Sequence, residues 1–323
     1  MLEYGWYGEN ATDVRTGYVN GIPTSGNDNS EGGMGKGGSQ MMAYPTLFFD
    51  YDKDDQRRDV SVCNYGIVLS AKGNKYQMNT YNGMGVGKYR INWKKDMGAT
   101  NNKRNINFPL LRYADVLLMY AEALNEVNNG PTQEAINAVK EVRKRAFRGN
   151  EAKAAAGIPT NHDDFLTFIQ KERKLELSNE GLRRTDLTRW GKQYEMLMAE
   201  KQRLIDLAKR DGEFANVPVY RAYYLSTTPK FEDPTIALSY IDLSQADVEA
   251  LGLSADQIKT LKILNSSSKG SLKDVKLYEK DGKLYSAVNK PEGAVEHSYT
   301  ILNMFSIVSI KQKGNLCVED VTG

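Results

Sequence analysis

Asn107-Phe-Pro-Leu-Leu-Arg-Tyr-Ala-Asp-Val-Leu-Leu-Met-Tyr-Ala-Glu-Ala-Leu-Asn-Glu126 is the stretch that decides the fold. Leu110, Leu111, Ala114, Leu117, Leu118, Ala121 and Leu124 recur in it at three- and four-residue steps, which makes one broad apolar stripe on a helix. Asn128-Asn129-Gly130 ends that helix, and Pro131 opens the next, where its missing N–H costs nothing. Ala135, Ile136, Val139 and Val142 give the second helix its inner face. The short connection makes the two helices antiparallel neighbours.

Working outward, a third helix starts near Asn161, a natural N-cap followed by Asp163 and Asp164 in the first turn, where the helix dipole favours acids. Phe165, Phe168, Ile169 and Leu175 form its apolar face. Gly181 marks a break, after which Leu182, Leu187 and Trp190 continue inward. A further amphipathic helix runs through Met196, Leu197, Leu204, Ile205 and Leu207. The expected fold is mainly α: tetratricopeptide-like helical hairpins with long irregular, loop-rich flanks and a few short strands. No 34-residue sequence repeat accompanies them, so the hairpin reading rests on architecture.

Three zones follow: a loop-rich segment over 1–105, the helical core over 106–211, and an irregular C-terminal region over 212–323 that packs on the core. Residues 25–39 carry too little apolar area to pack and read as a surface loop. Residues 60–63 and 67–69 are brief β-like runs. In the last zone, Ser244 with Asp247 and Ser254 with Gln257 have capping-box spacing. Residues 276–278 and 283–288 flank Asp281-Gly282, a hairpin signal.

The chain has 323 residues, with 43 basic and 41 acidic side chains giving a net charge of +2. That balance gives no broad attraction to nucleic acid or anionic lipid. The longest apolar runs, such as 109–111 and 116–120, fall far short of the ~20 residues that cross a bilayer. Met1-Leu2-Glu3-Tyr4-Gly5 has neither the basic nor the apolar region of a signal peptide. Cys63 and Cys317 match no metal motif; they read as two free thiols, with a single bridge between them as the alternative. The 19 tyrosines suit half-wet surfaces, with a flat apolar face and a polar tip.

Several letter patterns dissolve on inspection. Gly33-x-Gly35-x-x-Gly38 has the dinucleotide spacing, but polar loop precedes it and Pro45 soon follows. Asp50, Asp52 and Asp54 resemble the start of a calcium loop. Asp55 then stands where glycine should turn the chain and Ser61 where the bidentate Glu belongs, so a solvated acidic turn is the better reading. Glu172, Glu176 and Glu180 lie four apart on one helical face. Paired carboxylates can hydrolyse glycosides. Here Arg173, Arg183, Arg184, Asp186 and Arg189 crowd the same stretch, and arginine forks neutralise carboxylates. A structural salt-bridge network is therefore expected, with Arg112 and Glu122 as further members. His162 and His297 are too few for zinc or Ser-His-Asp machinery.

The opening stretch resembles the signature helix of the SusD/RagB family. Residues 135–146 (Ala-Ile-Asn-Ala-Val-Lys-Glu-Val-Arg-Lys-Arg-Ala) resemble the helix that follows it, and 169–191 its third block. Asp54-Asp55-Gln56-Arg57-Arg58 and Gly87-Lys88-Tyr89 resemble two upstream segments. The resemblance implies a non-enzymatic surface lipoprotein of the Bacteroidetes outer membrane that binds oligosaccharide or peptide and partners a SusC-type TonB-dependent transporter, with no cofactor. It also implies ligand held by loop aromatics outside the helices. Tyr4, Trp6, Tyr7, Tyr18, Tyr81 and Trp93 are the candidates, with Asn10, Asp13, Arg15 and Asn82 as polar partners. The family is longer at its N-terminus, where the signal peptide, lipidated Cys and first helical repeats lie, so the chain is expected to be a piece of a longer protein. The family also ends differently, and residues 312–316 (Gln-Lys-Gly-Asn-Leu) suggest a reading-frame change. Two other functions are kept: a helical-repeat scaffold for another protein, and a glycoside hydrolase using two of Glu172, Glu176 and Glu180.

Overall fold

The computed structural model describes residues 2–4, 20–25, 37–68, 75–90, 108–225, 238–262 and 270–305. In chain order its strands are β1 (Leu2–Tyr4), β2 (Thr24–Ser25), β3 (Val62–Cys63), β4 (Tyr65–Val68), β5 (Lys75–Met78), β6 (Gly85–Val86), β7 (Phe108–Leu111), β8 (Tyr220–Leu225), β9 (Leu238–Leu243), β10 (Ser271–Lys280), β11 (Lys283–Tyr285) and β12 (Val295–Asn303). Its helices are α1 (Pro45–Asp50), α2 (Arg57–Ser61), α3 (Tyr113–Val127), α4 (Gln133–Ala146), α5 (Glu151–Ala155), α6 (His162–Glu176), α7 (Arg183–Arg189), α8 (Gln193–Lys209), α9 (Gln245–Ala250) and α10 (Ala255–Lys262). The chain falls into two compact units, not three consecutive zones. The first joins Met1–Ala43, Leu47–Cys63 and Gly85–Met196; the second joins Tyr44–Thr46, Asn64–Met84 and Leu197–Gly323.

The core of the first unit is the packing of α3, α4 and α6. Leu118, Ala121, Ala135, Val139, Phe165 and Ile169 are fully buried there, and Ala114, Leu117 and Leu124 pack against them. Leu110 and Leu111 do not belong to this stripe. They stand exposed in β7, which pairs antiparallel with β1. Pro109 and the extended Arg112 (φ −141°, ψ 160°) keep the chain out of the helix until Tyr113. The second helix also starts later than expected: Thr132, not Pro131, sets its start, and the Thr132 hydroxyl accepts from the Ala135 N–H. Asn161 caps α6 as its sequence indicates, through Asp164 N. The break after α6 comes at residues 177–179, before Gly181, where Asn179 adopts a left-handed φ of 63°. Gly181 itself follows at +78°.

The second unit is built on an antiparallel five-stranded sheet, ordered β11-β10-β12-β8-β9. Its core gathers Tyr220, Ala222, Leu243, Val248, Leu251, Leu261, Leu277, Tyr299 and Ile301, with α9 and α10 supplying the helical residues. The 212–323 region is thus more regular than expected, although its local signals hold. Ser244 and Asp247 form a capping box, Ser254 and Gln257 exchange the equivalent bonds, and Asp281-Gly282 turns the β10–β11 hairpin with both φ values positive (51° and 73°). β10 hides from a period-two reading because its register shifts between Leu272 and Val275, with Asp274 at φ 57°.

Of the two other runs read as β-like, the first is helical up to Ser61 and extended only in β3. The second lies in β4, which pairs antiparallel with β5, and Leu69 falls outside the described residues. So do Cys317, the segment over 306–323 and most of the glycine-rich stretch, residues 26–36, which includes Gly33 and Gly35. Cys63 is fully buried. No helix among the described residues is long and apolar enough to cross a membrane.

Candidate functional site

A charge network lies at the centre of the first unit. The four-residue spacing on α6 stacks Glu172 and Glu176, and the turn that follows returns Glu180 to the same neighbourhood. All three are sealed, at 2%, 2% and 6% exposure. Glu172 accepts from Arg57 Nη1 at 2.5 Å and from Arg143 Nη1 at 3.3 Å. Glu176 meets Arg57 Nη1 at 3.0 Å, Arg112 Nη1 at 2.6 Å, and Arg145. Glu180 takes Arg112 Nε at 2.7 Å and Lys88 Nζ at 2.5 Å. Lys88 Nζ also donates to the Glu176 carbonyl. Asp55 closes the group: its carboxylate grips Arg57 through Nη2 at 2.6 Å and Nε at 2.9 Å, and its Oδ1 also accepts the Arg57 backbone N–H.

Electrostatics follow from this geometry. Burial alone would raise the Glu176 carboxyl, but Arg112, Arg57, Arg145 and Lys88 outweigh it and hold its pKa at about 2. Burial lowers the Lys88 ammonium below its ordinary value, with Glu180 opposing. Tyr51 donates to the Leu175 carbonyl at 2.8 Å, and burial pushes its phenol up to about 12. Five basic groups thus face four acids, and every carboxylate has a guanidinium or ammonium partner.

A second cluster adjoins it on α3, α6 and α7. Buried Arg173 bridges Asp115 at 2.7 Å and Asp186 at 2.8 Å. Asp186 also holds Arg189 at 3.0 Å. Arg189 pairs with Glu122 and lies 4.4 Å from the Trp190 ring centre, while the Trp190 indole donates to Glu122 at 2.8 Å. Arg183 donates to the Gln170 carbonyl. Arg184 is exposed and makes no ion pair among the described residues.

Sequence reasoning missed Asp55, Arg57, Lys88, Asp115, Arg143 and Arg145 as network members. The expected set was already balanced, five arginines against Glu122, Glu172, Glu176, Glu180 and Asp186, so no excess of charge pointed to partners from other segments. Glycoside hydrolysis needs carboxylates open to substrate and, for the acid, a raised pKa. All three glutamates are shut from solvent, and the Glu176 carboxyl is lowered rather than raised. The acidic turn is likewise spoken for: Asp50 pairs with Lys174 at 2.6 Å, Asp54 pairs with Lys153, and Asp52 accepts from the Asp54 N–H. No group of three or more metal-ligating side chains occurs among the described residues.

The ligand candidates fare differently. Trp6, Tyr7, Asn10, Asp13, Arg15, Tyr18, Trp93 and the Tyr4 side chain lie outside the described residues; the Tyr4 backbone is in β1. Tyr81 is corrected. Its ring is 2% exposed, sits edge-on to Phe305 at 5.2 Å, and its hydroxyl donates to the Pro218 carbonyl at 3.1 Å. It is a packing residue of the second unit. Asn82, beside it on a single 3-10 turn, is half-buried.

Comparison with known proteins agrees with these blocks. The model of the SusD family matches residues 6–250. SusD-like protein P2 of Formosa agariphila is 33% identical over 162 residues, 48% of this chain and 32% of that protein. SusD-like protein P38 of the same organism is 38% identical over 93 residues, 28% of this chain and 18% of that protein. Among solved structures, a SusD homolog from Bacteroides thetaiotaomicron superposes with a TM-score of 0.55 at 29% identity, covering 63% of this chain and 43% of that one. The chain thus spans a third or less of the two Formosa relatives it matches. With the family model matched over most of its length, the chain belongs to the SusD family.

Proposed function

We propose that this protein captures an oligosaccharide at the cell surface and delivers it to a SusC-type TonB-dependent transporter, as a lipid-anchored protein of the outer membrane. The observation that carries the reading is the family match across residues 6–250. The geometry supports a division of labour consistent with it. Charged residues of the signature helices are consumed in bracing one another, and the aromatic-rich flanks are left for ligand. In this reading α3, α4, α6 and α7 act as tetratricopeptide-like scaffolding, the protein performs no turnover, and no cofactor or calcium takes part. Tyr4, Trp6, Tyr7, Tyr18 and Trp93 offer flat faces to the apolar C–H surfaces of sugar rings, and Asn10, Asp13, Arg15 and Asn82 offer bonds to their hydroxyls.

The experiment is titration calorimetry of the protein against a panel of neutral oligosaccharides, beside Trp6→Ala and Trp93→Ala. Saturable binding that both variants weaken, with no released sugar, supports the reading. An absence of binding to every member overturns it.

A second reading, a scaffold whose partner is another protein, draws on one observation. α3 leaves Tyr113, Val116, Tyr120 and Val127 exposed, at 72%, 41%, 49% and 84%. Tyr113→Ser with Tyr120→Ser discriminates: loss of partner capture with unchanged glycan affinity favours the scaffold.

A further inference from the structure

The chain has two histidines, and one is held in an arrangement that suits only its charged form. His162 is the first residue of α6. Its Nδ1 lies 2.7 Å from Asp163 Oδ1, and its Nε2 lies 3.2 Å from Glu126 Oε1, in the last turn of α3. Both oxygens belong to carboxylates, which only accept. A neutral imidazole has one N–H and would place a lone pair against one of them; the imidazolium donates from both nitrogens. The same junction carries a pH-independent tie, because Asn125 Nδ2 donates to the His162 carbonyl at 3.1 Å.

We propose that His162 is a proton-operated clasp between the C-terminal turn of α3 and the N-terminal turn of α6, closed when the ring is charged and loosened when it is neutral. The charged groups that act on the ring are Glu126, from α3, and Asp163, on its own helix. Both favour the imidazolium, and the hydrogen bond to Asp163 leads in raising its pKa. The positive end of the α6 dipole works against them. The neutral ring keeps one N–H; with it on Nδ1, against the nearer Asp163, the bond across the junction to Glu126 is lost and Asn125 is left to hold it.

The test uses the two-histidine content of the whole chain. Proton NMR of the imidazole C–H resonances, assigned with His162→Gln, gives the His162 midpoint directly. The expected midpoint lies above the ~6.5 of a free histidine, and Glu126→Gln and Asp163→Asn each shift it downward. In parallel, the melting temperature is compared at about pH 5.5 and about pH 8, a range in which carboxylates stay ionised. The wild-type chain should be the more stable at the lower pH by a margin that His162→Gln reduces. A midpoint at or below the free value, or one that neither carboxylate variant moves, overturns the clasp. So does a pH difference in melting that His162→Gln leaves unchanged.

Discussion

Arg112 grips Glu180 with two prongs, Nε to Oε2 at 2.7 Å and Nη2 to Oε1 at 2.9 Å, while its third nitrogen reaches Glu176 at 2.6 Å. The residue stands in extended backbone just before α3, so one guanidinium joins the start of the signature helix to the end of α6. Removing it takes one partner from each of two buried carboxylates and leaves Glu180 to Lys88 and Glu176 to Arg57 and Arg145. Arg112→Leu should cost about 1–3 kcal/mol, the cost of buried oxygens whose bonds are left unmade. Arg112→Lys recovers the charge without the fork and should fall between. Urea unfolding at neutral pH checks the order; equal stability of all three proteins would show that the network braces nothing.

Acid should dismantle the same site. The Glu176 pKa is lowered from 4.5 to about 2, so its contribution is fully present above about pH 4.5 and is lost as the pH falls toward 2. A shift of that size corresponds to roughly 3 kcal/mol. Unfolding free energy measured in denaturant should fall between neutral pH and about pH 2.5 by most of that contribution, the remainder being lost below about pH 2. Glu176→Gln should be less stable at neutral pH and should show a shallower acid slope. A variant with the wild-type slope would place the acid sensitivity elsewhere.

Backbone crowding around Lys88 gives a sharper test. A Cβ at Gly87 would sit 2.2 Å from the Val60 carbonyl oxygen and 2.8 Å from Arg90 Nη2, both beside the segment that delivers Lys88 to Glu180. The chain cannot accept the methyl without moving. Gly87→Ala should destabilise by about 2 kcal/mol or more. Gly149, at φ +84° with nothing within 4 Å, makes the control: its alanine variant meets backbone strain alone, about 1 kcal/mol. Circular dichroism melts of the two variants should separate in that order.

The same residues show what was legible beforehand. The α3 stripe and the capping signals at Asn161, Ser244 and Ser254 are local, so spacing alone revealed them. The arginine-glutamate pairing on α6 was legible as a charge balance, but its partners were not. Arg57 and Lys88 lie 115 and 92 residues from Glu172 and Glu180 in sequence, and no local pattern reports a contact across that separation. The five-stranded sheet escaped for a different reason. The bulge in β10 breaks the alternation, and strands such as β10 and β12 are half-exposed over much of their length, so their apolar residues are sparse. Tyr81 was misassigned because a tyrosine in an Asn/Gly-rich segment looks the same in sequence whether its ring faces water or, as here, Phe305.

Stability and binding should part company at Tyr81. Tyr81→Phe loses the bond to the Pro218 carbonyl and should cost about 1 kcal/mol. Tyr81→Ala empties a fully packed site beside Phe305 and Arg221 and should cost about 3–5 kcal/mol. Neither change removes a surface that a sugar could reach. Glycan affinity, measured well below each variant's melting temperature, should stay within a factor of ~2 of wild type, since less than half a kcal/mol of direct contact is at stake. A tenfold loss in folded Tyr81→Phe would return this residue to the binding site and require the loop around Gly83 to open when ligand arrives.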